Sequence, residues 1–330
     1  MRFGLFGGAR TQRRDDGSGD SQAYDDFINY VVEAERLGFR SVFLVEHHFT
    51  GVGQLSASLT LLAYLAARTR SIRLGTAVVV LPWHNPVLLA EQAATLDLLS
   101  GGRLDLGVGK GYRASEFAGF RIAMDEATER FDEAIEVIRK AWTSPGRFSH
   151  RGKRWSFDDI VVEPAPLQRP HPPLWLAAGS PDSIRRAARE GYNLLLDQLG
   201  SVALTIERVA LFREECARIG RPYDSSMIAA ARALQIARND AERQAAYETR
   251  ARVVRTIGDL ARGGGKLVAP EEDDAPLLGT PAEIVTRLRI LRDGGVGNVL
   301  LVDPGANVAS LRAFAAEIMP SLTEERAAAD

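Results

Sequence analysis

The sequence predicts a (β/α)₈ TIM barrel of the α/β class, and two patterns along the chain predict it. Short apolar runs of strand length alternate with amphipathic segments of helix length from one end of the chain to the other. Eight such units can be distinguished, which is the number that closes a parallel barrel. We therefore expect one domain over residues 1–330, with insertions after strands 4 and 7. A doubly wound open sheet is the alternative, but no Gly-x-Gly-x-x-Gly motif follows the first strand.

The first half of the chain supplies four predicted strands, each marked by a run of apolar residues: Phe3–Gly7, Ser41–Glu46, Ile72–Leu81 and Leu104–Val108. Residues that commonly bound helices separate them. Gly38 ends a helix that begins near Gln22, and Pro86 opens the third helix. The second helix is predicted over Leu59–Ala67. The fourth runs from about Glu126 to Trp142 because its apolar residues recur at helical spacing.

The alternation breaks between Pro145 and Pro173, where a hairpin turning at Gly152 and a proline-rich connection are predicted. Beyond it, four further strands are predicted: Leu174–Ala178, Leu194–Asp197, Met227–Ile236 and Asn298–Val302. Ser180 and Thr280 are each followed by proline and are predicted to begin helices. The other helices of this half are predicted near Leu204–Ile219, Ala241–Leu260 and Val308–Ile318.

The segment from Arg262 to Gly279 contains three consecutive glycines and an acidic run. We expect a mobile lid over the active-site end of the barrel, since such loops close over TIM-barrel sites and exclude water. A passive connection is the alternative.

Composition excludes several classes of protein. Apolar residues make up 45% and charged residues 25%, as in globular proteins with a sizeable core. The net charge of −2 and the lack of a basic stripe argue against binding to nucleic acid. The single cysteine, Cys216, excludes an internal disulfide and a multi-cysteine metal site. No apolar run approaches the roughly 18 residues of a membrane span, and the apolar start is too short for a signal peptide, so a cytoplasmic location is expected.

The most informative motif is Glu46-His47-His48, which ends the second strand abruptly. Polar residues at the carboxyl ends of barrel strands lie where chemistry is done, and imidazole exchanges protons near neutral pH. A capping histidine pair without a catalytic role is the alternative.

Two further strand ends and one helix start complete the predicted pocket. The third strand contains small residues against which a flat ligand could lie, although ordinary barrel packing explains them equally. The fourth ends in Gly109-Lys110-Gly111-Tyr112, where glycine backbone and a lysine charge suit an anion. After the fifth strand, Gly179-Ser180-Pro181-Asp182-Ser183 begins a helix whose N–H groups suit a phosphate; a plain capped helix is the alternative.

These motifs together resemble the bacterial luciferase-like family of flavin-dependent monooxygenases. The matching stretches are Glu46–Thr50, Gly75–Pro82, Leu98–Arg103, Gly109–Tyr112 and Gly279–Glu283, in family order over nearly the whole chain. The resemblance implies a barrel that binds reduced FMN non-covalently, supplied by a separate reductase using NADH or NADPH. Reaction with O₂ would give a C4a-hydroperoxide that oxygenates a small organic substrate. It also implies a homodimer.

Roles follow from the resemblance at matching positions. His47 matches the catalytic histidine, and Ala77 and Val78 match a pair joined by a non-proline cis peptide against the flavin ring. Lys110, Ser180 and Ser183 fall where the family binds the flavin phosphate. The other expected cofactor-binding residues are Glu46, Gly109, Tyr112 and Gly179.

Two departures from luciferase bear on this reading. Lysine at position 110 replaces an arginine and loses bidentate geometry toward a phosphate. Gly109 replaces a cysteine beside the flavin, so light emission is not inferred. Phe6, Phe49, Trp83 and His84 are expected to shape the substrate pocket, and its aromatic residues suggest an apolar or aromatic substrate.

Alternative functions remain open at this point. Some members of the superfamily use the deazaflavin F420 and transfer hydride, although Glu46-His47-His48 fits the FMN branch better. A non-catalytic flavin-binding barrel would need no histidine at position 47. An unrelated TIM-barrel enzyme would need a metal or a Schiff base, and no metal site is predicted.

Overall fold

Eight parallel strands close into a barrel in a computed structural model that describes residues 1–12, 14–260, 274–303 and 305–323. Each strand pairs with its sequence neighbours, and the first pairs with the last. The predicted TIM-barrel fold is therefore confirmed. The barrel strands are β1 (Arg2–Gly7), β2 (Ser41–Leu44), β3 (Arg73–Thr76), β4 (Leu104–Gly109), β5 (Leu174–Ala177), β6 (Asn193–Leu196), β7 (Ile228–Ile236) and β8 (Asn298–Val302).

Helices alternate with these strands and pack around the barrel. Asn85, Ser180 and Thr280 accept hydrogen bonds from the first-turn N–H groups, so polar side chains define three of the helix starts. The helices are Gln22–Arg36, Ser58–Arg68, Pro86–Leu99, Ala127–Thr143, Pro181–Arg189, Val202–Arg218, Asp240–Leu260, Pro281–Asp293 and Val308–Glu317, with a short helix Ala114–Gly119 after β4.

The barrel interior is filled by a small cluster of buried side chains, which is separate from the larger core between strands and helices. In this cluster the rings of Phe43 and Trp175 meet edge to face, with centroids 5.5 Å apart. Phe6, Ala77 and Val78 are only partly buried and pack against it. The cluster therefore lies beneath these three residues, which form the floor of the space above them.

The third strand is shorter than the predicted Ile72–Leu81. β3 ends at Thr76, and after a cis peptide between Ala77 and Val78 only Val79–Val80 pairs again, with β4. The chain then turns into the 3₁₀ helix Leu81–Trp83. The apolar run continues through the break, so its composition does not reveal where pairing with β2 stops.

Both predicted insertions contain additional strands. The hairpin pairs Phe148–Arg151 with Ser156–Ile160 in antiparallel fashion, as predicted. In the second insertion, Leu277–Gly279 forms a strand parallel to the end of β7, which corrects the prediction of an irregular segment up to Gly279. Residues 261–273, which carry most of the predicted lid, lie outside the described residues. Across the described part of the chain, no helix has both the length and the hydropathy that a membrane span requires.

Candidate functional site

A cavity of about 880 Å³ opens at the carboxyl ends of the barrel strands. Residues at or just after the ends of β1 to β6 and β8 line it, and side chains of the helices Gln22–Arg36 and Asp240–Leu260 contribute to its wall. Its size falls in the range of roughly 300–1,000 Å³ that is typical of small-molecule and cofactor sites. The position is where TIM barrels carry their active sites.

Most of the residues that the sequence predicted for the site line this one cavity. They are Phe6, Glu46, His47, Ala77, Val78, Gly109, Lys110, Tyr112, Gly179, Ser180 and Ser183. The structure thus brings together side chains from five different strand ends. Their individual roles remain predictions.

His47 is held by a carboxylate. Its Nδ1 lies 3.1 Å from Oε1 of Glu116, which also accepts the backbone N–H of His48 at 2.9 Å. A carboxylate acceptor assigns the proton to Nδ1 and leaves Nε2 as the free, basic nitrogen of the neutral ring. Burial lowers the pKa of His47 and Arg113 lowers it further, although the contact with Glu116 opposes both. The ring is therefore neutral at pH 7 and is able to accept a proton at Nε2.

Glu46 joins the segments that follow β2 and β3. Its Oε1 accepts hydrogen bonds from Trp83 Nε1 and His84 Nε2, both at 2.8 Å, and from His48 Nε2 at 3.1 Å. Burial opposes the ionised form, but these donors outweigh it and lower the pKa of Glu46 to about 2. Glu46 is therefore a buried anion that three donors stabilise.

Trp83 and His84 do not line the cavity, which corrects their predicted place in the substrate pocket. The physical reason is that their ring nitrogens are directed toward Glu46. Trp83 also stacks on Phe120, with ring centroids 5.1 Å apart. Both residues therefore support the cavity wall from behind.

Phe49 is also absent from the cavity lining. It has a positive φ of 55° and is 61% exposed, and its ring packs against His48 and Phe120. The backbone turn after His48 carries the ring toward solvent, so the predicted contact with substrate is corrected here as well.

Gly109 has no room for a side chain because of Val78, which follows β3. A Cβ at this position would lie 2.5 Å from Cγ2 of Val78, a separation that real Cβ atoms do not show. The cysteine that the resemblance would place here does not fit unless Val78 moves. The absence of a side chain at position 109 therefore leaves room for Val78 at the cavity floor.

The predicted phosphate-binding residues lie at the same cavity but are paired within the protein. Lys110 is exposed and donates from Nζ to the hydroxyl of Thr128 at 3.3 Å. Ser180 and Ser183 form a reciprocal capping box at the start of the helix Pro181–Arg189. A phosphate bound here would take over hydrogen bonds that these hydroxyls now give one another.

Two residues of the site were missed by reasoning from the sequence. Glu116 and Arg113 are 1% and 3% exposed and both line the cavity, on or beside the short helix Ala114–Gly119. The helix is too short to give a periodic signal. The only sequence signal is the spacing of three residues between an arginine and a glutamate.

The fold and the site define a class of protein: a parallel barrel whose strand ends converge on a cofactor-sized cavity containing a histidine–carboxylate pair. Comparison with known proteins gives the family. The sequence matches the luciferase-like monooxygenases over residues 1–298, and the chain belongs to this family.

Individual relatives include both a flavin-dependent monooxygenase and an F420-dependent dehydrogenase. The chain is 35% identical, over 201 residues, to the oxygenase component of flavin-dependent trigonelline monooxygenase from Acinetobacter baylyi; the alignment covers 60% of this chain and 55% of that protein. It is 33% identical, over 173 residues, to F420-dependent glucose-6-phosphate dehydrogenase from Amycolatopsis mediterranei, covering 50% and 51%. The chain thus spans about half the length of these curated relatives.

A solved structure extends the comparison to the whole chain. The monooxygenase RslO1 from Streptomyces bottropensis superposes with a TM-score of 0.83 at 28% identity, covering 97% of this chain and 99% of that one.

Proposed function

We infer that the protein is the oxygenase of a two-component, FMNH₂-dependent monooxygenase that acts on a small organic substrate. The observation that carries this proposal is the buried pair of His47 and Glu116 in the wall of a cofactor-sized cavity. The same cavity contains Lys110 and the serine-capped helix start, which suit the phosphate of FMN. The relative from Acinetobacter baylyi, named as the oxygenase component of a flavin-dependent monooxygenase, supports a separate reductase as partner.

The residues present fit a flavin. Phe6, Ala77 and Val78 form an apolar surface at the cavity floor, against which a planar ring can lie. Lys110, Ser180 and Ser183 would hold the phosphate. Bound in its reduced form, the flavin would supply the electrons that activate O₂.

His47 would act on protons at this site. With Nδ1 on Glu116, its Nε2 is directed to accept a proton or a hydrogen bond from the reacting group. The apolar floor would restrict water near that nitrogen. Both effects favour transfer of oxygen to the substrate over release of H₂O₂.

The second candidate is F420-dependent hydride transfer, which the relative from Amycolatopsis mediterranei favours. Anaerobic titration of the protein with oxidised FMN, reduced FMN and F420 separates the two functions. We expect reduced FMN to bind more tightly than oxidised FMN, because it must be accepted from a reductase. Binding of F420 with no binding of reduced FMN would refute the proposed function.

His47→Ala tests the catalytic assignment. We expect a folded protein that oxidises reduced FMN but loses product formation by about 10²–10⁴-fold, the range for an acid or base group, with H₂O₂ released instead. His150→Ala is the matched control, because His150 is also buried beside a glutamate, Glu133 at 3.3 Å, but does not line the cavity. Full coupling of flavin oxidation to product in His47→Ala would contradict the assignment.

A further inference from the structure

Arg113 is a buried cation with few partners. It is 3% exposed, it lines the cavity, and its guanidinium lies over the ring of Tyr112 at 5.5 Å from the centroid. Its NH1 donates to Oε1 of Gln54 at 2.9 Å. Among the described residues, its Nε–H has no hydrogen-bond partner.

The carboxylate beside Arg113 does not complete its hydrogen bonding. Oε1 of Glu116 lies 3.8 Å from NH1, beyond hydrogen-bond distance, and the same oxygen already accepts from His47 and from the backbone of His48. An arginine carries five N–H donors in a rigid fork that matches a carboxylate. A buried charge whose Nε–H is unpaired and whose nearest carboxylate lies beyond hydrogen-bond distance gains from a ligand that pairs with it.

Two other arginines of the cavity lining differ from Arg113 in this respect. Arg186 is held by Asp132 at 2.5 Å and by Glu190 at 2.8 Å, and Arg189 by Glu215 at 3.1 Å. Their carboxylate partners lie within hydrogen-bond distance. Arg113 has the longer contact with Glu116, through an oxygen that also pairs with His47, and its Nε–H is left unpaired.

We propose that Arg113 anchors a carboxylate group of the substrate beside His47, so that this monooxygenase acts on small aromatic or apolar carboxylic acids. The identity of the reaction rests on the proposed function. The binding of a carboxylate at Arg113 does not depend on it. Nδ1 of His47 and NH1 of Arg113 lie 3.1 Å and 3.8 Å from the same oxygen of Glu116, which places an anion bound by Arg113 near the ring of His47. Tyr30 and Phe27, from the helix Gln22–Arg36, supply aromatic surface elsewhere in the same cavity.

The test is calorimetric titration of the flavin-free protein with benzoate and with its neutral counterpart, benzamide. We expect benzoate to bind the wild type at least about tenfold more tightly, as a hydrogen-bonded charge pair implies. Arg113→Gln should abolish this preference, whereas Arg113→Lys should retain part of it because the charge is kept and the fork is lost. Lys140→Ala should leave the preference unchanged, because Lys140 does not line the cavity.

Three results would overturn the proposal: equal binding of benzoate and benzamide to the wild type, a preference that survives in Arg113→Gln, or a preference that disappears in Lys140→Ala. Unfolding temperatures and circular dichroism of each variant establish that it is folded. If Arg113→Gln does not fold, Arg113→Lys is compared with the wild type instead. An unchanged preference for benzoate in Arg113→Lys would refute the role of the guanidinium fork. Titration with reduced FMN is run separately, so loss of flavin binding bears on the proposed function and not on the carboxylate site.

Discussion

Glu46→Gln tests the three hydrogen bonds through which Glu46 joins the segments after β2 and β3. The substitution keeps the size of the side chain and one acceptor oxygen, but it removes the negative charge that Trp83, His84 and His48 stabilise. We expect the variant to fold and to be less stable at neutral pH, because hydrogen bonds to a charged acceptor are stronger than those to a neutral one.

The size of this loss of stability follows from the pKa of Glu46. Burial alone would raise this pKa, but the three donors lower it from 4.5 to about 2. At about 1.4 kcal/mol per pKa unit, the folded protein favours the ionised form by about 3 kcal/mol. Unfolding entropy of roughly 2 cal/mol/K per residue then gives a fall in Tm of about 4 °C for this chain of 330 residues.

The pH dependence has a definite sign. A group whose pKa is lower in the folded state contributes its stability above the unfolded pKa, here 4.5, and that stability is lost as the pH falls toward 2. The Tm difference between wild type and Glu46→Gln should therefore be full at pH 7 and should shrink to near zero between pH 4.5 and 2. Differential scanning calorimetry of both proteins across this range measures it.

Glu33→Gln is the matched control. The pKa of Glu33 is also lowered to about 2, through hydrogen bonds from Arg36 and Arg312, but these two arginines are exposed to solvent, where salt screens their charges. High salt should remove the effect of Glu33→Gln and leave that of Glu46→Gln. A Tm of Glu46→Gln equal to wild type at pH 7, or a difference that persists unchanged at pH 2, would refute the reasoning.

Two further substitutions test the cavity itself. Lys110→Ala should weaken the binding of reduced FMN by about 1.5–3 kcal/mol in an anaerobic titration, the range for a hydrogen bond to a charged group, whereas Lys140→Ala outside the cavity should not. Equal affinities would remove Lys110 from the phosphate site. Gly109→Ala should destabilise the protein by about 1–3 kcal/mol because its Cβ would meet Val78, and Gly146→Ala, with no atom within 4 Å of the new Cβ, should not. An unchanged Tm of Gly109→Ala would show that Val78 moves freely.

Much of the barrel could be predicted from the sequence because its strands are buried on both faces and therefore appear as apolar runs. β8 was predicted with its observed bounds, Asn298–Val302. The break after Thr76 could not be predicted, since the apolar run continues beyond it through Val78, Val79 and Val80 and strand pairing depends on neighbours distant in the chain.

The candidate site was predicted less completely, and the reason is side-chain direction. His47 and Lys110 follow strands directly, so the closed barrel places them at the cavity. Trp83 ends a 3₁₀ helix and His84 follows it; the sequence does not give the direction of this turn, and their nitrogens point to Glu46. The contact between His47 and Glu116 joins residues 69 positions apart and has no local signal.

The three hydrogen bonds to one oxygen of Glu46 bear on how this enzyme could acquire new substrates. Any substitution at Trp83, His84 or His48 leaves the buried anion with fewer donors, so that side of the cavity tolerates change poorly. Tyr30 and Thr256 line the cavity from two helices and share no comparable acceptor in the described residues. Natural variation and laboratory evolution toward different molecules should therefore concentrate on these helix positions, and libraries built there should keep more folded members.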